Sequence, residues 1–261
     1  MQLAANLLRP PFSICLSLLS LLTFSAAIAA AQSSLEDRPF APRNSFGFLT
    51  AYSGDSSHIL LGSAANRRLL DIGVSYNRRL FVNRYVTWQY SGELLPVALE
   101  SDPVVQQTTN QTSPAVGTHS FSSTQVQVCV AGTTTYNDTF TTSGGPITFA
   151  GTTVQTCGRT WTIGEGLSPI GFQWNFRTRN RIQPFLIGHG GTMYSTQPIP
   201  VSMAGSFNFT FDLGAGLEFF HSHRQSVRAE YRYHHISNHE TASQNPGIDN
   251  ELFQVTYAFG R

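Results

Sequence analysis

The sequence predicts an all-β fold, an eight-stranded antiparallel up-and-down transmembrane β-barrel with a long extracellular insert between its third and fourth strands. Three observations carry this expectation. At least six segments alternate apolar and polar residues with the period of two expected of a strand with two unlike faces. Only 12% of the 261 residues are charged, and 19 Phe, 9 Tyr and 22 Gly, with many Thr and Ser, take their place. Typical soluble domains carry roughly 25% charge. An N-terminal export signal is followed by no apolar run near the ~20 residues that a membrane-spanning helix needs. A closed barrel accounts for all three, because it satisfies every backbone group without a helix.

The strands follow in order. Residues 44–53 place Phe46, Phe48, Thr50 and Tyr52 on one face, and 68–78 oppose Leu70, Ile72, Val74 and Tyr76 to Asp71, Ser75 and Asn77. Residues 84–98 carry Val86, Trp88 and Tyr90 against Thr87, Gln89 and Glu93, and 166–177 carry Ile170, Phe172, Trp174 and Phe176 against Gln173, Asn175 and Arg177. Residues 181–194 alternate poorly, weakened by Pro184 and by Gly188, Gly190 and Gly191. Residues 204–220 are the cleanest, with Phe207, Phe209, Phe211, Leu213 and Phe219 opposite Asn208, Thr210, Asp212 and Glu218. Residues 224–237 and 250–259 complete the set. The connections alternate short and long, which with an even strand count puts both termini in the periplasm and the long loops outside.

Residues 1–31 read as a signal peptide, with Arg9, an apolar stretch from Phe12 to Ile28 and small residues Ala29–Ala31 before Gln32. The mature chain, 32–261, keeps Cys129 and Cys157, which in an exported protein are expected to form one disulfide. Both lie in the insert, 100–164, which is rich in Thr, Ser, Gly and Val and is expected to be an outer loop with its own hairpin. The net charge of +1 does not suggest nucleic acid, which is not expected as a partner. Asp71, Glu93, Arg177, Asp212, Glu218, Arg228, Glu230 and Arg232 fall on the polar face and are expected to pair inside a barrel too narrow for a pore. Neither a metal constellation nor a nucleotide fingerprint is read, so no cofactor is expected.

Chemistry gathers near the end of the chain. In 227–237 the odd positions are Val227, Ala229, Tyr231, Tyr233, His235 and Ser237, and the even ones are Arg228, Glu230, Arg232, His234 and Ile236. His235 and Ser237 thus share the apolar face, which in a membrane barrel faces lipid. A hairpin to the next strand returns Asp249 beside His235, which brings a nucleophile, a base and an acid together.

At these residues the chain resembles the outer-membrane lipid A 3-O-deacylases, also named acyloxyacyl hydrolases. The pattern is His235-x-Ser237-Asn238 followed by Asn245-Pro246-Gly247-Ile248 and an acid, supported by Gly171–Phe176 and Gly214–Phe219. The resemblance covers roughly 40–261 without the insert. It implies that Ser237 attacks an acyl ester of lipid A, that His235 moves the proton, that Asp249 orients His235, and that Asn238 stabilises the oxyanion. It also implies lipopolysaccharide of the outer leaflet as partner and the bacterial outer membrane as location. The sequence departs from the family at two points: aspartate stands where glutamate is usual, with Glu251 as the alternative acid, and His239-Glu240 replace a pair ending in glycine. Two other functions are weighed: a non-enzymatic OmpA-like structural or adhesive barrel, and a family member with an altered lipid substrate.

Overall fold

Residues 39–114 and 117–261 are described by a computed structural model, and the export signal expected over 1–31 lies outside the described residues. Among them ten strands occur: β1 (Asn44–Ser53), β2 (Arg68–Val82), β3 (Val86–Ser113), β4 (Gly117–Val126), β5 (Gly132–Thr142), β6 (Gly145–Phe176), β7 (Ile182–Ser195), β8 (Phe207–Ser222), β9 (Gln225–Ser237) and β10 (Ile248–Gly260). They form one antiparallel sheet in the order β4-β3-β2-β1-β10-β9-β8-β7-β6-β5, and a further pairing of β3 with β6 closes it. The ring runs through β3, β2, β1, β10, β9, β8, β7 and β6, and β4 and β5 stand outside it. First and last strands meet from Ser45↔Gly260 to Tyr52↔Phe253.

The alternation read from sequence sorts the two faces of this wall. Phe46, Phe48, Trp88, Trp174, Phe207, Phe209, Phe211, Leu213, Tyr257 and Phe259 are exposed on the outside. Ser75, Asn77, Gln173, Asn175, Arg228, Glu230 and Arg232 are buried within. A dry core between two packed sheets would have buried the aromatic set instead.

Burying so many charges requires that they satisfy one another. Arg232 donates to both oxygens of Glu93, at 2.8 and 2.7 Å, and to both of Glu230 at 3.1 Å. Gln254 bridges the same two carboxylates. Arg228 donates to Gln173, Asn77 and Ser75, and His234 is hydrogen-bonded to Asp212. A cavity of about 10 Å³ beside Asp71, Glu93 and Arg232 has room for about one water. Arg232→Met leaves Glu93 and Glu230 without their cation and is expected to destabilise the barrel by about 3–5 kcal/mol. Urea unfolding in detergent micelles, read by heat-modifiable gel mobility, measures this.

Short connections, 83–85, 177–181 and 223–224, lie at the end of the barrel that carries Asn44 and Gly260. The longer segments 54–67, 196–206 and 238–247 lie at the other. One expectation is corrected here. Arg177, read from its phase as an inward charge, is exposed in the 177–181 turn with φ 62°, because the strand ends at Phe176 and its periodicity no longer applies.

The segment 100–164 also differs from the loop with one hairpin expected of it. β3 and β6 run on together from Ser101↔Trp161 to Thr112↔Ala150. β4 flanks β3, and β5 flanks β6, giving a four-stranded sheet that extends the wall. Cys129, in the β4–β5 connection, is disulfide-bonded to Cys157 on β6, with Cα atoms 5.5 Å apart. Periodicity could not reveal this sheet, because it has no apolar face to mark. Its strands are held by backbone pairing and by cross-strand threonine pairs such as Thr109–Thr153 and Thr139–Thr148.

Candidate active site

The register of β9 against β10 builds the site. His235 stands directly opposite Asp249, and His234 opposite Asn250. Directly opposed residues of an antiparallel pair share a face, with Cβ atoms ~4.5–5.5 Å apart. His235 Nδ1 lies 2.7 Å from Asp249 Oδ1. An ionised carboxylate only accepts, so Nδ1 carries the proton and Nε2 is left as the basic nitrogen. Ser237 follows two residues along the same outward face, opposite Phe209 of β8. The Ser237 hydroxyl makes no hydrogen bond among the described residues, whereas its backbone lies in the β8–β9 ladder.

Asp249 is 0% exposed although it points from the outer wall. What covers it is the 54–67 segment. Ser63 and Ala64 donate their backbone N–H groups to Pro246 and Gly247, and bridges Ser56↔Asn250 and Ala64↔Ile248 lay this segment across the start of β10. At its tip the N–H groups of Leu60 and Leu61 donate to Asp249 Oδ2 at 2.7 and 2.9 Å. Tyr233 Oη donates to Oδ1 at 2.9 Å, the oxygen that also faces His235. Four donors therefore surround one carboxylate, a set matched to its ionised form.

Two glycines make this approach feasible. A Cβ on Gly62 would stand 2.5 Å from the Asp249 backbone nitrogen, and one on Gly247 would stand 3.1 Å from His235 Cε1. Gly247 also has φ +61°, where a side chain is strained. Gly247→Val is therefore expected to lower kcat about tenfold or more by displacing the imidazole, since small misplacements of catalytic groups cost large factors. The barrel should still show its folded mobility on a gel.

Asn238, 1% exposed, is tied into the 238–247 segment. Its side-chain nitrogen donates to the carbonyls of Ala204 and Gln244, and its side-chain oxygen accepts from the Glu240 N–H. His239 and Glu240 have φ 50° and 60°, so this stretch adopts a glycine-like backbone without a glycine. Glu251 lies opposite Tyr233, is exposed, and makes no hydrogen bond to His235; its carboxylate is associated with the Tyr231 hydroxyl. Tyr233 and the two amides are contacts of the candidate acid that sequence reasoning missed. Tyr233 was legible in the same outward phase as His235, whereas a backbone N–H from 188 and 189 residues away leaves no side-chain signal.

Among the described residues one His–carboxylate group lies close enough to share an ion, namely Glu93, His189 and Asp212. It faces the barrel interior, where Arg232 already engages Glu93, and so lies on the other side of the wall from His235.

A family model described as lipid A 3-O-deacylase (PagL) matches residues 123–258, just over half of the chain. The chain belongs to the lipid A 3-O-deacylase family. The match spans the stretch that holds His235, Ser237, Asn238 and Asp249, so the paired imidazole and carboxylate lie inside the deacylase region. Among solved structures the chain is similar to the crystal structure of the outer membrane enzyme PagL, with 14% identity, 82% of this chain and 99% of that chain covered, and a TM-score of 0.45. It is also similar to Neisserial surface protein A, with 8% identity, 83% and 97% coverage and a TM-score of 0.42. No curated protein matches the chain.

Proposed function

We propose that this member of the lipid A deacylase family is an outer-membrane hydrolase that removes the 3-O-linked acyl chain of lipid A by a Ser-His-Asp mechanism on its lipid-facing wall. The observation that carries the reading is the 2.7 Å contact of His235 Nδ1 with Asp249, with Ser237 on the same outward face. In a soluble enzyme such a group sits in a cleft. Here it faces outward among exposed aromatics, where an acyl ester in the neighbouring leaflet can reach it. The exposed aromatic wall supports the outer membrane as its place, with the long-loop end outward, and the sequence pattern of residues 1–31 supports their acting as a cleaved signal.

His235 Nε2 takes the proton from Ser237 Oγ as the oxygen attacks the ester carbonyl. The tetrahedral intermediate collapses with return of that proton to the departing sugar oxygen, and water then releases the acyl group from Ser237 by the same relay. Asp249 holds the imidazole in the useful tautomer and stabilises its charged form. The methylene lost relative to glutamate does not cost reach, since the aspartate is already within hydrogen-bond distance. Asn238 serves the oxyanion by exchanging its bond to the Gln244 carbonyl for the substrate oxygen. The neighbouring His239 N–H, which has no protein partner among the described residues, is a second donor.

The test is mass spectrometry of lipid A from cells with and without the protein. Loss of one hydroxyacyl unit from the 3-position is expected. Unchanged lipid A in cells that carry folded protein would overturn the reading.

A further inference from the structure

We propose that the Leu60–Leu61 tip of the 54–67 segment inserts among the acyl chains of the bilayer and that this insertion stabilises the assembled His235–Asp249 pair. The catalytic half of this inference rests on the deacylase reading; the insertion half does not.

One dipeptide does two unlike things. Its side chains are 74% and 68% exposed, more than the wall residue Phe48 at 64%. Its backbone N–H groups point the other way, onto Asp249 Oδ2. The flanks of the segment are pinned to β10 and its approach through Ser56, Ser57, Ser63 and Ala64. The tip is not pinned in this way. Apart from a contact of His58 Nδ1 with the Gly62 carbonyl at 3.1 Å, its polar bonds go to Asp249, to Tyr233 and to neighbouring Ser57.

Two physical consequences follow. Exposed leucine side chains are drawn from water into hydrocarbon, and the tip is continuous with the apolar outer wall through its contact with β10. In water the Leu60 and Leu61 amides can exchange Asp249 for solvent. In hydrocarbon the acceptors within reach belong to the protein, namely Asp249 and, for Leu61, the Tyr233 oxygen, and an unsatisfied N–H there is costly. A tip in lipid therefore keeps its bonds to Asp249, and the lipid acts as a ligand that selects the assembled site. The occupant is the bulk acyl phase rather than the scissile chain, because the leucine amides hold Asp249 Oδ2 whereas His235 holds Oδ1.

The insertion is tested on the mature protein refolded into phosphatidylcholine vesicles that contain no lipid A. Leu61→Cys, labelled with a bimane fluorophore, should be quenched by lipids brominated on their acyl chains, whereas Thr139→Cys on β5 should not. Equal quenching at the two sites overturns the proposal whether or not the protein is an enzyme. The coupling is tested with Leu60→Ser combined with Leu61→Ser, which keeps both N–H groups. With the protein in vesicles for both assays, turnover should fall about tenfold on lipid A and on soluble p-nitrophenyl acetate alike, and Leu60→Phe with Leu61→Phe should restore both. A loss on lipid A alone, or none, overturns the coupling. If the wild-type protein cleaves neither ester, the deacylase reading falls while the quenching result still decides insertion.

Discussion

Ser237→Ala and His235→Ala are each expected to lower lipid A deacylation by about 10²–10⁴-fold while leaving the barrel folded. The size follows from the roles. Without the hydroxyl no acyl-enzyme forms, and without the imidazole the hydroxyl is a weak nucleophile at neutral pH. Folding is spared because neither side chain belongs to the buried network of Arg232, Glu93, Glu230 and Gln254. The double variant should be little worse than either single one, since the two groups act as a unit. Deacylation by refolded protein in detergent, followed by mass spectrometry, measures the rate, and heat-modifiable gel mobility reports the fold. A single variant with wild-type rate would remove that residue from the mechanism.

Asp249→Asn is the second large effect, with kcat expected to fall about 10²–10⁴-fold and KM to change little. Asparagine keeps the shape but can present an N–H where His235 Nδ1 needs an acceptor, which favours the wrong tautomer. It also weakens the acceptor for the Leu60 and Leu61 amides and for Tyr233 Oη. Glu251→Gln should leave kcat within about twofold, because Glu251 stands opposite Tyr233 and makes no bond to His235. Asp249→Glu lengthens the acid inside a cover already closed by Gly62, whose approach to the Asp249 backbone leaves no room for a Cβ. It is therefore expected to lower activity here, although glutamate is usual in the family. If Glu251→Gln proves crippling and Asp249→Asn harmless, the roles of the two acids are reversed.

The two faces of the wall were legible because burial imposes a period of two wherever one face is polar and the other apolar. That period placed Phe207, Phe209 and Phe211 outside, and Arg228, Glu230 and Arg232 inside. It also set His235 and Ser237 on one face and Asp249 beside them. It failed where neither face is apolar, over 101–113 and 145–160, where Thr and Gln strands look like loop. It failed again at Arg177, where the strand stops and phase has no meaning. The cover on Asp249 was hidden for a different reason. Backbone amides do the holding, and every residue has one, so only the path of the chain reveals which two are used.

Under the proposed mechanism, the pairing of β1 with β10 would give the enzyme a built-in latency. The acid sits on the strand that seals the barrel, and the amides that hold it come from a segment 188 and 189 residues earlier in the chain. A precursor still in transit carries Ser237 and His235 but not the enclosure that presents Asp249 to them. Under the proposed mechanism it would therefore pass other ester-bearing membranes without attacking them. During refolding, hydrolysis should consequently appear with the same time course as the compact gel species and never ahead of it. An unclosed species that cleaves ester would show that the acid can be recruited without the seam.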